Sequence, residues 1–268
     1  MVERQLSKPV TVGSIPSDRS MKDERPTDKT GLRLDGPSEP IYSDQLVLIG
    51  QRELVGWRKG GLECRLVPRD LANDLIVRHH YSGKVYGLSY IHFGAFWNGD
   101  LIGIAQYGYA MNPASQGSIV AGTGSKEYLE LNRLWVDDPM PRNTASAFLA
   151  LTIKAIKGTT SVAWIQSFAD ERCRLFGGLY QACSFDYLGE HSATFWDIDG
   201  KWFHNINMTI IDEKKMNDEN RYAQANKHKA TRHELRQFRY IKFLRKGFRE
   251  RLQYKILPYP KPNEGKLL

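Results

Sequence analysis

The sequence predicts a mixed α/β fold, a mainly antiparallel sheet flanked by helices, and three observations predict it. Two turn dipeptides, Asn98-Gly99 and Asp199-Gly200, each join a pair of β-rich runs, the strongest short-range signal of a hairpin. Apolar residues recur at helical spacing through Leu71, Leu75 and Ile76, and again through Phe148, Leu149, Thr152, Ile153 and Ile156. Strand-like runs alternate with these helical stretches along the chain, the order expected of a layered α/β domain.

The elements follow in order. Residues 46–49 form a short apolar run and 63–67 alternate, so both read as strands. Pro68 stands where helices often begin, which places a helix over 69–80 and a loop at His79-His80-Tyr81-Ser82-Gly83. Residues 91–97 and 101–107 make the first hairpin, and 112–125, rich in Gly, Ser, Ala and Thr, read as a flexible loop. A strand over 127–136, a turn containing Pro139 and Pro141, and a helix over 144–157 come next. Then follow a strand at 161–168, a short helix around 178–182, a strand at 185–188, and the second hairpin, 193–198 with 201–206. The remaining basic segment reads as a helical extension. Three parts are expected: a leader at 1–40, a catalytic domain at 41–212 and a basic C-terminal extension at 213–268.

Composition narrows the class. With 41% hydrophobic and 25% charged residues the chain matches ordinary globular proteins. No apolar run reaches the roughly 18 residues of a membrane helix, and the N-terminus lacks a secretory signal, so a cytoplasmic protein is expected. The leader is polar, with Pro9, Pro16, Pro26, Pro37 and Pro40 among its charges, a composition expected to stay disordered. Cys64, Cys173 and Cys183 match no zinc spacing and read as reduced thiols, Cys173 being the candidate for reactivity.

The charge is +8, and its distribution says more than its sum. Residues 214–251 hold 13 Lys/Arg against 4 Asp/Glu, a surplus of +9, which leaves −1 for the rest. Such a cluster lowers the free energy near polyphosphate, so double-stranded DNA is the expected partner. Arg232, Arg236, Arg239, Lys242, Arg245 and Lys246 are the expected phosphate contacts, with Phe238, Tyr240, Phe243 and Phe248 interleaved for stacking or core packing. A solvated basic helix without a dedicated partner stays open.

Four motifs carry candidate chemistry. Arg142-Asn143-Thr144-Ala145-Ser146-Ala147 follows a strand and opens a helix, where unpaired backbone N–H groups attract anions. Ser167-Phe168-Ala169-Asp170, then Gly177-Gly178-Leu179-Tyr180-Gln181-Ala182, form a strand ending in Asp and a helix offering a neutral phenol. In Glu130-Leu131-Asn132-Arg133-Leu134-Trp135, strict alternation puts Arg133 on one face with Leu131 and Trp135, where it needs an anionic partner, either Asp170 or a phosphate. His80-Tyr81 offers a base beside a stacking group. For each, a purely structural role stays open.

The first two motifs resemble the GNAT (acyl-CoA N-acyltransferase) fold, whose helix-start loop cradles coenzyme A and whose tyrosine protonates the departing thiolate. Ala145 stands where that loop carries its first glycine. The ordered set His80-Tyr81-Ser82-Gly83, the 91–107 hairpin, Leu131–Val136, Asn143–Leu149, Ser167–Asp170 and Tyr180-Gln181-Ala182 resembles the Mom family of phage DNA-modification proteins over about 80–260. That resemblance implies conversion of adenine in duplex DNA to N6-carbamoylmethyladenine, which shields phage DNA from restriction. It implies catalytic roles for His80, Tyr81, Arg133, Asp170 and Tyr180, and donor contacts from Ser146, with Arg142 and Asn143 beside it. It suggests acetyl-CoA as donor and leaves an iron requirement undecided; no residue spacing assigns a metal site, and a homodimer stays open. Two other functions compete: an acyltransferase acting on a protein, small molecule or aminoacyl-tRNA, which needs no basic tail, and a non-catalytic DNA-binding protein on the same scaffold.

Overall fold

The structure, a computed structural model, describes residues 57–173 and 175–261. The expected leader and the strand at 46–49 lie outside the described residues. In chain order the elements are β1 (Trp57–Lys59), β2 (Leu62–Leu66), α1 (Arg69–His79), β3 (Ser89–Trp97), β4 (Asp100–Gly108), β5 (Tyr128–Val136), α2 (Thr144–Thr159) and β6 (Trp164–Asp170). They continue with α3 (Gly178–Ala182), β7 (Asp186–Ile198), β8 (Lys201–His204), α4 (Asn205–Thr209), α5 (Asp218–Ala225) and β9 (Thr231–Phe243). The nine strands form one sheet in the order β1-β2-β3-β4-β5-β6-β9-β7-β8. Every neighbouring pair is antiparallel except β5 and β6.

Both hairpins form, the second shorter than expected because Asn205 and Ile206 open α4 rather than extend β8. Asn98 (φ 52°) and Gly99 (φ 96°) sit between the Trp97–Asp100 pair, and Asp199 (φ 53°) and Gly200 (φ 80°) between Ile198 and Lys201. Two successive left-handed residues match the right-handed twist of the strands they join.

The core lies on both faces of the sheet. α2 buries Phe148, Leu149, Ala155 and Ile156 among Phe93, Tyr107, Leu129 and Leu131. α1 covers the opposite face, where Ala72 and Ile76 meet Val67 and Ile104. The 112–125 segment is not a bare loop: a 3-10 turn at Pro113–Ser118 leads Ile119 and Val120 into a second cluster with Tyr128, Trp164 and Ile241.

Two expectations fail in the C-terminal third. The strands expected at 185–188 and 193–198 are one strand, β7, with a register irregularity between Tyr187 and Glu190. The expected basic helix is only α5; the heart of the segment is β9, threaded between β6 and β7. The extension expected to begin at 213 therefore supplies an interior strand of the sheet. The cause of the misreading is burial on both faces. Leu235 and Ile241 fill one side of β9, Phe238 and Tyr240 the other, and the resulting spacing mimics a helical stripe.

Candidate active site

The two parallel strands pair only at Tyr128–Trp164, Leu129–Ile165 and Glu130–Gln166. Beyond that point they part. β4 keeps company with β5 to Val136 and β9 with β6 to Asp170, so each strand stays anchored on its outer side. Ser167 Oγ donates to the Leu131 carbonyl at 3.1 Å just past the last pair. The parting opens a cavity of about 170 Å³ at the carboxyl ends of the strands, between residues 131–134 and 168–170, with α3 along one side. Ligands of open α/β sheets commonly settle at such a divergence.

His80, Tyr81, Arg133, Asp170 and Tyr180 all line this cavity. Their roles differ from strict expectation. A β-bulge at Asn132 breaks the alternation of β5: Tyr107 faces Leu131, but Gln106 faces Arg133. Cross-strand partners share a face, so Arg133 and Trp135 lie with Gln106 and Ile104, opposite Leu131. Arg133 does not pair with Asp170. Its guanidinium donates to the Asn132 carbonyl at 2.7 Å and sits 5.2 Å from the Tyr86 ring centre, and its Nε is buried without a hydrogen-bond partner.

Asp170 is buried, and its partner is Arg172, which donates from its backbone N–H at 2.9 Å and its guanidinium at 3.1 Å. That guanidinium lies against the rings of Phe195 (4.7 Å), Tyr81 (5.5 Å) and Trp202 (6.0 Å). The Asp170–Arg172 pair thus sets the position of Tyr81, whose ring is 4.1 Å from His80 and more than half exposed.

His80 Nδ1 accepts from the Ser82 backbone N–H at 3.1 Å and lies 2.8 Å from Ser82 Oγ, so the ring proton is on Nε2. Burial, then Arg133 and Arg172, lower its pKa to about 3. The expected base is a neutral hydrogen-bond donor. Tyr180 donates to the Phe168 carbonyl at 3.3 Å and lies 2.8 Å from Ser167 Oγ, whose one proton is shared between the Tyr180 oxygen and the Leu131 carbonyl. Burial pushes its phenol up to about 12, which keeps the proton on it at neutral pH. Cys173, the candidate reactive thiol, is pushed up to about 11 by burial and then Asp170, so it is no ready nucleophile.

Glu130 was not among the expected site residues. It occupies the last paired position, where its carboxylate accepts from Gln166 at 2.7 Å and Asn132 at 3.1 Å. Burial raises its pKa to about 7 against the lowering pull of those two amides, Arg133 and Arg239. The available signal was a Glu following Tyr128-Leu129 and a Gln following Trp164-Ile165, each the first polar residue after an apolar strand start, since buried polar groups need partners.

Arg142, Asn143 and Ser146 stand apart at the start of α2 and do not line the cavity. Asn143 is left-handed (φ 71°) and caps nothing with its side chain; Ser146 Oγ turns back to the Asn143 carbonyl at 2.9 Å. The helix start therefore keeps uncapped N–H groups beside an exposed Arg142, which suits an anionic group such as a pyrophosphate. Among the described residues, no three His, Cys, Asp or Glu side chains gather as a metal site.

The basic residues of the C-terminal segment are mostly engaged. Arg236 bonds Glu171 at 2.6 Å and Glu190 at 3.4 Å; Lys242 donates to the carbonyls of Cys183 and Ser184; Arg245 donates to those of Lys157 and Thr160 at the end of α2. Arg239 lies against Phe168 and Tyr254, and the exposed Arg232 pairs with Glu234. Lys246 is exposed.

Residues 61–261 match the model of the Mom protein family. The chain belongs to that family. It is 41% identical over 225 residues to the methylcarbamoylase Mom of Escherichia phage Mu, a match spanning 82% of this Mom-family chain and 92% of the phage protein. Among solved structures it is similar to an N-acetyltransferase from Staphylococcus aureus (TM-score 0.40, 15% identity, 69% of this chain and 99% of that one). It is also similar to an IAA acetyltransferase from Bacillus cereus (TM-score 0.40, 11% identity, 68% and 99%). A third is a putative acetyltransferase from Salmonella typhimurium with acetyl-CoA (TM-score 0.41, 8% identity, 69% and 95%). No helix among the described residues is long and apolar enough to cross a membrane.

Proposed function

We propose that this Mom-family protein is a transferase that converts adenine in duplex DNA to N6-carbamoylmethyladenine in the host cytoplasm, protecting phage DNA from restriction. One observation carries the reading: five residues scattered from 80 to 180 line a single cavity, in a chain 41% identical to the phage Mu methylcarbamoylase.

The adenine amino group is stacked and paired inside a duplex, so the base must be flipped out to reach a cavity. Tyr81, exposed at the rim and steadied by the Asp170–Arg172 pair, offers its ring to the flipped base. His80 donates from Nε2 to an acceptor atom on the base or the donor. Arg133, carrying an unused buried Nε–H, holds an anionic or carbonyl oxygen. Tyr180 supplies the proton that the leaving group needs. The uncapped start of α2, with Arg142, Asn143 and Ser146, would hold the pyrophosphate of acetyl-CoA; its acyl carbon alone would give N6-acetyladenine, so the carbamoylmethyl product requires a co-substrate that carries the amide nitrogen and a leaving group on the methylene carbon. Amino nitrogen N6 is a weak nucleophile because its lone pair is delocalised, so positioning carries much of the acceleration. For DNA contact Lys246 is exposed, and Arg232, paired only with the exposed Glu234, lies at the surface too, whereas Arg236, Lys242 and Arg245 already hold the fold together.

Mass spectrometry of nucleosides from plasmid DNA in cells producing the protein tests the reading, with Asp170→Ala as control. A carbamoylmethyl-deoxyadenosine that disappears in the control supports it. Unmodified deoxyadenosine with a well-folded wild-type protein overturns it.

A further inference from the structure

A base turned out of a duplex leaves its phosphates behind. The flipped adenine proposed above enters the cavity, while the phosphodiesters on either side of its sugar stay at the mouth, because the strand is continuous. A cation at the rim with no partner of its own would hold them.

Most cations around β6 and β9 are taken. Arg172 is bonded to Asp170, and Arg236 to Glu171 and Glu190. Lys242 and Arg245 are spent on backbone carbonyls. Arg239 differs. It faces Phe168 across the β6–β9 ladder, and Phe168 lines the cavity. Cross-strand partners share a face, and Asp170, two residues along β6, lies on that face too. The Arg239 guanidinium is 5.3 Å from the Phe168 ring centre and 5.4 Å from that of the exposed Tyr254.

Among the described residues, half-buried Arg239 has no ion-pair or hydrogen-bond partner, and its Nε is fully buried. The carboxylates that could serve it are engaged elsewhere, Asp170 with Arg172 and Glu130 with Gln166 and Asn132. A charge partly removed from water without a countercharge costs stability, and an anion restores it. The two rings keep the planar fork oriented, so little freedom is lost when it is used.

We propose that Arg239 is a phosphate-binding residue at the cavity rim, holding the phosphodiester beside the flipped adenine; this rests on the adenine reading above. Its fork donates to the two non-bridging oxygens of one phosphate, a charge-assisted bidentate contact. Arg232 and Lys246, out on the surface, can meet a phosphate anywhere along a duplex. Arg239 stands one ring away from the cavity, so it meets the strand where the base has left the stack.

The test is binding of the full chain to short duplexes, read by fluorescence anisotropy at fixed salt. Each duplex carries a single adenine opposite an abasic site, which leaves that base unpaired. Its phosphates are native, or one is replaced by an uncharged methylphosphonate on the 5′ side of the adenine, on the 3′ side, or about six nucleotides away. Wild type, Arg239→Gln and Arg239→Lys are compared. For wild type, neutralising one of the two adjacent phosphates is expected to weaken binding about tenfold, the loss of a charge-assisted contact. The remote replacement is expected to cost about twofold, as the general electrostatic contribution. Arg239→Gln is expected to bind the native duplex about tenfold more weakly and to be indifferent to the adjacent methylphosphonate. Arg239→Lys, which keeps the charge without the fork, is expected to keep part of both the affinity and the sensitivity. Equal losses at adjacent and remote positions in wild type overturn the inference, and this arm decides even where the Gln variant fails to fold. So does an Arg239→Gln protein that still loses tenfold on adjacent neutralisation. The adenine reading is judged apart, by the nucleoside mass spectrometry above: no modified nucleoside there overturns that reading, while the tenfold coupling in binding still upholds a phosphate contact beside an unpaired base.

Discussion

Two carboxyl side chains flank the split between β5 and β6, the half-buried Glu130 and the buried Asp170, and their partners make them different groups. At the vertex, Glu130 is held by the amides of Gln166 and Asn132, and burial lifts it to about 7. At the mouth, Asp170 is bonded twice to Arg172, whose guanidinium rests on three aromatic rings. An amide satisfies a carboxylate's hydrogen-bonding demand without supplying countercharge, so the group stays ready to take a proton. A guanidinium supplies both, so the group becomes an anchor. Vertex and mouth thereby differ in whether their carboxyl is held by neutral or by charged donors.

Several substitutions sharpen or break that contrast. The largest effect is expected at the mouth. Gly177 has φ +84°, and a Cβ there would lie 2.2 Å from the Tyr240 ring. Gly177→Ala should cost about 4 kcal/mol in urea unfolding, combining overpacking with backbone strain, and should displace Tyr180. Asp170→Asn leaves the Arg172 charge without its partner and should cost about 3 kcal/mol in the same assay; a cost under about 1 kcal/mol would deny Asp170 its anchoring role.

The vertex should declare itself through pH. The folded pKa of Glu130 lies above its ordinary 4.5, so the folded state binds the proton more tightly and stability falls as pH rises from about 4.5 to about 7. Replacement by Gln should remove about 2 kcal/mol of that decline between pH 5 and 8. His80 has the opposite sign. Its folded pKa of about 3 lies below 6.5, so it contributes stability above pH 6.5 that is lost as pH falls towards 3. His80→Gln should flatten the acid limb of the melting-temperature profile by about 2 kcal/mol between pH 6.5 and 4.5. The smallest effect is expected at the surface: Lys246→Ala should lower the slope of log affinity against log salt for duplex DNA by about 1, with little change in stability.

Local signals were legible in the sequence and relayed ones were not. Asn98-Gly99, Asp199-Gly200, α1 and α2 each announce themselves within a dozen residues, and all four are observed. β9 does not show in the sequence because an interior strand buried on both faces loses its two-residue alternation. The separation of Arg133 from the face of Leu131 does not show in the sequence because a bulge leaves no mark in composition, only in the pairing with β4. The five residues suggested by family resemblance meet in one cavity, but their partners were not readable from spacing. Arg172 claims Asp170 from two residues away, and the Glu130–Gln166 bond spans 36 positions and exists only because two parallel strands meet there.

The central claim is that the modified adenine enters the split between β5 and β6. Photocrosslinking tests it most directly, using a mixed-sequence duplex in which adenines are replaced by 8-azidoadenine, followed by mass spectrometry of the labelled peptides. Labels are expected on Tyr81 and on residues 168–180, and are expected to be lost when Tyr81 is replaced by Ala. Labels confined to the surface around Arg232 and Lys246, with none in the cavity, would contradict it.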